Sequence, residues 1–283
     1  MGWLRALGFL TNDPQRSRVA LKAMGSVAIL PTKLDGMGAA NCMDGNVLLT
    51  KHPVTAEPRA LPDYVGAWRG RVSLMQFRDA SDLQPGIRSA QNIGPFRFKG
   101  FAGVSTGGPQ DADSAMQARE KLLRDLPDFL QRNVGGQSES EVFFYAILAR
   151  LFQQGLLERG APPGEAVADA FDAVHNSLDD SVPRHFLFAT SSEMIQVSRG
   201  MPGAWLRMEG LTNEAAEAVD PTLTDSSLGR ERLRRFRATW FLGGMSSRLD
   251  TDLALPEGVE LLGQSANAQI RLNKDFSCSE IGT

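Results

Sequence analysis

Three histidines, two cysteines and one arginine-rich stretch are the first places in this sequence where chemistry could sit. His52, His175 and His185 lie far apart, and none has a cysteine or carboxylate at ligand spacing, so no metal site is expected. Cys42 and Cys278 form no Cys-x-x-Cys pair and read as buried or incidental thiols rather than nucleophiles. The run from Arg230 to Arg237 alternates arginines with Glu231, Leu233 and Phe236. It reads as a solvated helix face or a carboxylate-paired patch in preference to a phosphate site. The glycines from Gly100 to Gly108 do not make a P-loop, because no Lys-Ser/Thr closes them.

The elements that must position these residues are legible from periodicity. Val27–Leu30 is a short apolar run ended by Pro31, and Asp44-Gly45 before Asn46–Leu49 is a hairpin signal. Arg71–Arg78 alternates polar and apolar residues, as a half-buried strand does. From Ala112 the period becomes helical, with Pro127 splitting the segment that ends at Asn133. Ser138 with Glu141 is a capping box opening a helix to Glu158, whose stripe is Val142, Tyr145, Ala149 and Phe152. Pro163–Leu178 is a third helix. Strands then return at His185–Thr190, Met194–Val197, Arg237–Leu242 and Gly258–Leu262, with a polar surface excursion expected at Thr212–Gly229. Strands, a helical block and strands again predict one α+β domain over residues 1–283.

Composition narrows the function classes. The 283 residues are 42% hydrophobic and 22% charged, which is globular. Thirty Lys+Arg against thirty-three Asp+Glu leave a net charge of −3, so a nucleic-acid partner is not expected. No apolar run approaches the ~20 residues of a membrane span, and the start, Met1–Leu10, turns polar too soon for a secretory signal. Ala6 stands where a myristoylation motif after Gly2 wants Ser or Thr. Few cysteines suit a reducing cytoplasm, the expected location.

The order of five fragments says more than any single motif. Leu34-Asp35-Gly36-Met37-Gly38-Ala39-Ala40 with Met43-Asp44-Gly45 resembles the "D-G-W-G-I-A-x-Y-x-x-G" hairpin of class II glutamine amidotransferases. Ser73–Ser81, through Gln76-Phe77-Arg78, is similar to that family's "I-x-H-V-R-x-A-T" strand. Asn92-Ile93-Gly94-Pro95-Phe96 resembles "N-T-H-P-F", and Phe101-Ala102-Gly103-Val104-Ser105 falls where the family has "F-A-H-N-G". Gly136–Glu141 resembles "G-x-T-D-S-E". The resemblance covers about residues 1–155 and implies a four-layer αββα sandwich of the N-terminal-nucleophile hydrolase type. It also implies a cysteine after the initiator Met attacking glutamine's amide with its own α-amine as base. The Asn and Gly of "H-N-G" would form the oxyanion hole, and the strand Arg and the Asp of "T-D" would hold glutamine's α-carboxylate and α-ammonium.

This sequence departs where that chemistry is made. Gly2 supplies no nucleophile, and Gly103-Val104-Ser105 replaces "H-N-G", removing the side-chain oxyanion donor. Gln76 and Gly94 stand in place of two family histidines, and Glu139 in place of the aspartate. No catalytic residue is therefore assigned, and no cofactor or metal is expected. The residues left for a ligand are Arg78, Glu139 and Asp35. Arg78 either holds a small acid bidentately or is a structural arginine paired with Asp79 or Asp35. Asp35-Gly36 reads first as a tight turn. The expected function is a catalytically degenerate relative serving as an interaction or scaffolding subunit, on a synthase- or synthetase-type partner or by self-association. The alternatives are a glutamine- or glutamate-sensing domain using Arg78, or an active amidotransferase with a non-standard site.

Overall fold

Asp44 and Gly45 both take positive φ, 48° and 76°, which is the two-residue turn whose twist matches that of its strands. It joins β2 (Leu34–Met43) to β3 (Asn46–Pro53) in register Met43↔Asn46. The computed structural model describes residues 5–23, 34–53, 70–79, 89–245 and 255–281. Val27–Leu30 and Gly2 lie outside them.

Two antiparallel sheets form the centre. The first runs β11-β9-β10-β1-β4-β2-β3, adding β1 (Ala6–Thr11), β4 (Val72–Asp79), β9 (Gly203–Glu209), β10 (Arg237–Gly243) and β11 (Val259–Ser265). The second runs β13-β12-β8-β7-β6-β5, from β5 (Phe96–Phe98), β6 (Phe101–Gly107), β7 (Arg184–Ala189), β8 (Glu193–Arg199), β12 (Ala268–Asn273) and β13 (Cys278–Glu280).

Alternate residues of each strand feed different cores. In β1, Ala6 and Leu10 join Leu74, Val104, Leu187 and Phe241 between the sheets. Leu7 and Phe9 join Trp240 and Met75 on the outer face. That outer face is covered by α1 (Ser17–Ala23), α6 (Asn213–Glu217) and α7 (Ser227–Arg234), through Leu21, Ala216 and Leu233. The other sheet is covered by α2 (Ala112–Arg124), α3 (Asp128–Gln131), α4 (Glu139–Gln153) and α5 (Gly164–Ser177), through Leu122, Leu130, Phe143 and Phe171. The layers are helix, sheet, sheet, helix: the αββα sandwich.

One expectation is corrected by this layering and another is refined. Arg71–Arg78 is not half-buried; Val72 to Met75 are all enclosed, because β4 has a core on both faces. Thr212–Gly229 lies at the surface, as expected, with Ala216 its one buried residue, but it is built of short helices rather than irregular chain. Thr212 and Ser226 cap α6 and α7 by accepting from Ala215 and Gly229 N–H at 3.1 and 2.9 Å, and Ala216 is fully buried. This stretch is the outer helical layer of the first sheet.

The helix readings hold except at one end: the helix expected to reach Glu158 stops at Gln153, because Gly155 turns the chain out of it at φ 70°. Pro127 separates α2 from α3, and Ser138 Oγ accepts the Glu141 N–H at 3.2 Å to cap α4. Apolar residues on all sides of α4 are buried between its sheet and flanking helices, as an all-round hydrophobic helix requires. Phe152, in its last turn, is instead 42% exposed and packs edge-on against Phe129 at 4.8 Å.

Candidate functional site

The fragments that are separated in sequence meet around one cavity of about 610 Å³. β4 contributes Gln76 and Arg78, the turn at Ala90–Asn92 contributes Asn92, and β6 contributes Ser105 and Thr106. α2 forms a wall through Asp113, Met116, Arg119 and Glu120, and the start of α4 brings Ser138, Glu139 and Ser140.

Hydrogen bonds lock this frame. Gln76 accepts the Gly94 N–H through Oε1 and donates Nε2–H to Ser105 O at 3.1 Å, tying the loop before β5 to β6. Asn92 Oδ1 accepts the Gln137 N–H at 2.6 Å, anchoring the approach to α4. Glu141 does not complete the expected capping box by reaching back to Ser138. Its two oxygens accept the Gly135 and Gly136 N–H groups at 3.0 and 2.7 Å, which bends the chain into the helix.

Gln76 and Gly94, each standing where the resemblance has a histidine, are physically coupled. A Cβ on residue 94 would lie 2.4 Å from Gln76 Oε1. Gly94→Ala is therefore expected to destabilise the fold by about 1–3 kcal/mol, the usual range for overpacking. The Gln76→Ser/Gly94→Ala pair should recover part of that loss in a urea-melt double-mutant cycle. Simple addition of the two single effects would show that the contact carries no coupling.

The buried end of the cavity holds the decisive arrangement. Arg184, at the head of β7, meets the Glu139 carboxylate bidentately, Nη2 to Oε1 at 2.9 Å and Nη1 to Oε2 at 3.1 Å. The two side chains are 2% and 7% exposed. Nη1 also donates to Ser105 Oγ at 3.2 Å, and the guanidinium lies 4.1 Å from the Phe143 ring centroid. Gly108, at φ +96°, lets the chain pass this pair: a Cβ there would lie 2.9 Å from Arg184 Nη2. Arg184 was not singled out in the sequence. The available signal was its place opening an apolar strand, where an arginine enclosed on both faces needs a buried partner.

The positions matched to the oxyanion hole are filled by other contacts. A Cβ on Gly103 would lie 2.4 Å from Phe144 Cδ2, so no histidine fits there beside that ring. Val104 is fully buried between the sheets, and Ser105 Oγ is taken up by Arg184. Arg78 is half-buried and lines the cavity. Asp35 falls within β2, but its side chain, like that of Asp79, lies outside the described residues.

The cysteines and histidines are elsewhere. Burial pushes the Cys42 thiol up to about 12 and the Cys278 thiol up to about 11, so neither is a thiolate at neutral pH. His52 is exposed on β3, His175 stacks on Phe171 at 5.6 Å, and His185 is enclosed between the sheets. The described residues bring no three metal-ligating side chains together. On α7, Arg234 and Arg235 pair with Glu231 at 3.5 and 2.5 Å in solvent, the carboxylate-paired patch. No helix among the described residues is long and apolar enough to cross a membrane.

This arrangement of sheets and helices recurs in solved structures. A glutamine phosphoribosylpyrophosphate amidotransferase from B. subtilis superposes with a TM-score of 0.54 at 14% identity, over 97% of this chain and 48% of that one. The fold is that of class II glutamine amidotransferases. A glutamine aminotransferase class-II domain protein from Silicibacter pomeroyi matches at TM-score 0.54 and 12% identity, over 99% of this chain and 100% of that one. A structure described as a predicted glutamine amidotransferase from Pseudomonas aeruginosa matches at 0.52 and 16%, over 95% and 97%. No protein-family model and no curated relative matches the sequence. The chain thus spans about half the length of the B. subtilis enzyme and nearly all of the other two. The α+β sandwich expected from the resemblance is the one observed. Among the described residues, four of the five motif fragments contribute to the cavity lining, the Leu34–Gly45 hairpin being the exception.

Proposed function

We propose that this chain is a class II glutamine amidotransferase-like protein that no longer hydrolyses glutamine and acts by binding, as an interaction subunit in the cytoplasm. The observation that carries this reading is the Glu139–Arg184 pair. On the resemblance, the carboxylate at position 139 would hold the α-ammonium of glutamine. Here it is neutralised by a buried guanidinium from the same chain. Val104 offers no side-chain oxyanion donor. Loss of one such donor alone typically costs ~10²–10³ in rate.

The test is release of glutamate and ammonia from glutamine by the purified full chain, with Arg78→Ala as control. The expected result is no release above the uncatalysed background in either. Turnover that disappears in the Arg78→Ala variant would overturn the reading and return an enzyme with replaced chemistry. The assembly role predicts a self-associated species, or a stable complex with a synthase- or synthetase-type subunit, in light scattering. A second reading, binding of a small acid, is favoured by Arg5, Arg78 and Arg119 all lining the same cavity.

A further inference from the structure

Resting on the reading that glutamine is no longer hydrolysed here, we infer that the cavity binds a small dicarboxylic acid that lacks an α-ammonium group. Its volume, about 610 Å³, is in the range of small-molecule sites. Three guanidinium groups reach it from three elements: Arg5 before β1, Arg78 on β4 and Arg119 on α2. Arg119 donates Nη2–H to Gly136 O at 3.1 Å, while its buried Nε–H meets no acceptor among the described residues. A buried donor without an acceptor is costly, and an anionic ligand relieves it.

Among the described residues, the negative groups around the cavity do not offer an equivalent place for a cation. Glu139 already has its charge balanced by Arg184, so a ligand ammonium placed beside it adds a second cation next to a guanidinium with no further anion to offset it. Asp113 and Glu120 lie exposed on α2, where solvent screens them. Ser105 Oγ already accepts from Arg184, which leaves its own proton to donate to an anion. An amino acid entering this site brings a desolvated ammonium among three guanidinium groups. A dicarboxylate of similar length brings two groups that arginines bind bidentately. The specificity of the ancestral arrangement is thereby reversed: the carboxylate-binding side remains and the ammonium-binding side is internally satisfied.

The experiment compares glutarate, L-glutamate and L-glutamine by isothermal titration and thermal shift on the full chain. Glutarate is expected to bind saturably, about tenfold or more tightly than either amino acid. Arg119→Gln should weaken glutarate binding by about tenfold or more, as should Arg78→Gln. Arg232→Ala, on the remote face of α7, should leave it unchanged. If Arg78→Gln does not fold, Arg119→Gln on the exposed helix carries the test. Glutamate or glutamine binding as tightly as glutarate would overturn the inference, because Glu139 would then still accept an ammonium. So would the absence of binding by all three acids, or glutarate binding that neither arginine variant affects. These failures are separate from that of the silent-site reading, which falls only if glutamine is hydrolysed.

Discussion

Arg184→Met is expected to lower the stability of this protein by about 3–5 kcal/mol, the range for removing one member of a buried ion pair. Methionine fills much of the arginine's volume, so the cost is electrostatic more than steric. The Glu139 carboxylate would be left 7% exposed, with neither of its two hydrogen bonds to Arg184. At ~2–4 °C per kcal/mol for a chain of this size, the melting temperature should fall by roughly 6–20 °C. Urea denaturation gives the free energy directly. The Arg184→Met/Glu139→Leu double variant is the diagnostic partner. Buried ion pairs replaced together by apolar groups are often neutral or better, so the double variant should regain most of the loss. A single-variant cost below about 1 kcal/mol would mean that the pair behaves as a solvated one. Glu139 would then be available to a ligand ammonium after all, which would undercut both the silent-site reading and the preference for an acid without an amine.

The same pair shows where reading the sequence stopped. Local signals carried well: Asp44-Gly45 needs two positive φ values, Pro127 cannot donate within a helix, and Ser138 three residues before Glu141 caps one. Each is decided by atoms within a few residues of one another. The order of the five fragments predicted the sandwich, and four of them line one cavity, while the Leu34–Gly45 hairpin lies outside its lining among the described residues. What was not legible depended on partners far along the chain. Arg184 and Glu139 are 45 residues apart, and nothing in either segment names the other. β9, Gly203–Glu209, is enclosed along most of its length and shows no two-residue alternation, whereas Ala268–Asn273 of β12 does alternate and carried a usable strand signal. The polar composition of Thr212–Gly229 marks it as surface and hides α6 and the start of α7, whereas the Arg230–Arg237 run already suggests a solvated helix face. The caps of these two helices, Thr212 and Ser226, were the usable signal, and the few apolar residues the helices bury lie against Leu206 and Trp240 of the outer core.

His185 makes the second large prediction, a loss of stability in mild acid. Its ring is wholly enclosed between the sheets, in a slot that two glycines create. A Cβ on Gly243 would lie 1.8 Å from its Cε1, and one on Gly203 would lie 2.3 Å from the Gln196 amide nitrogen and 3.3 Å from His185 Cδ2. Neither ring nitrogen has a hydrogen-bond partner among the described residues. Burial holds the imidazolium form off, from the ordinary 6.5 down to about 3. The sign follows from proton counts. Above pH 6.5 neither the folded nor the unfolded chain protonates this residue, so it adds no slope. Below 6.5 the unfolded chain takes up a proton that the folded chain refuses until about pH 3. Stability should therefore fall with decreasing pH at up to ~1.4 kcal/mol per pH unit from this one group. His175 is lowered in the same direction, chiefly by burial, and adds to the slope. The window from about pH 6 to pH 5 isolates the histidines, because most carboxylates stay ionised there. His185→Leu keeps an apolar side chain in the slot and should flatten the slope in that window, leaving the part due to His175. Equal slopes for the variant and the parent chain in urea melts at each pH would show that His185 titrates freely in the folded state, and that the space between the sheets admits water to its ring.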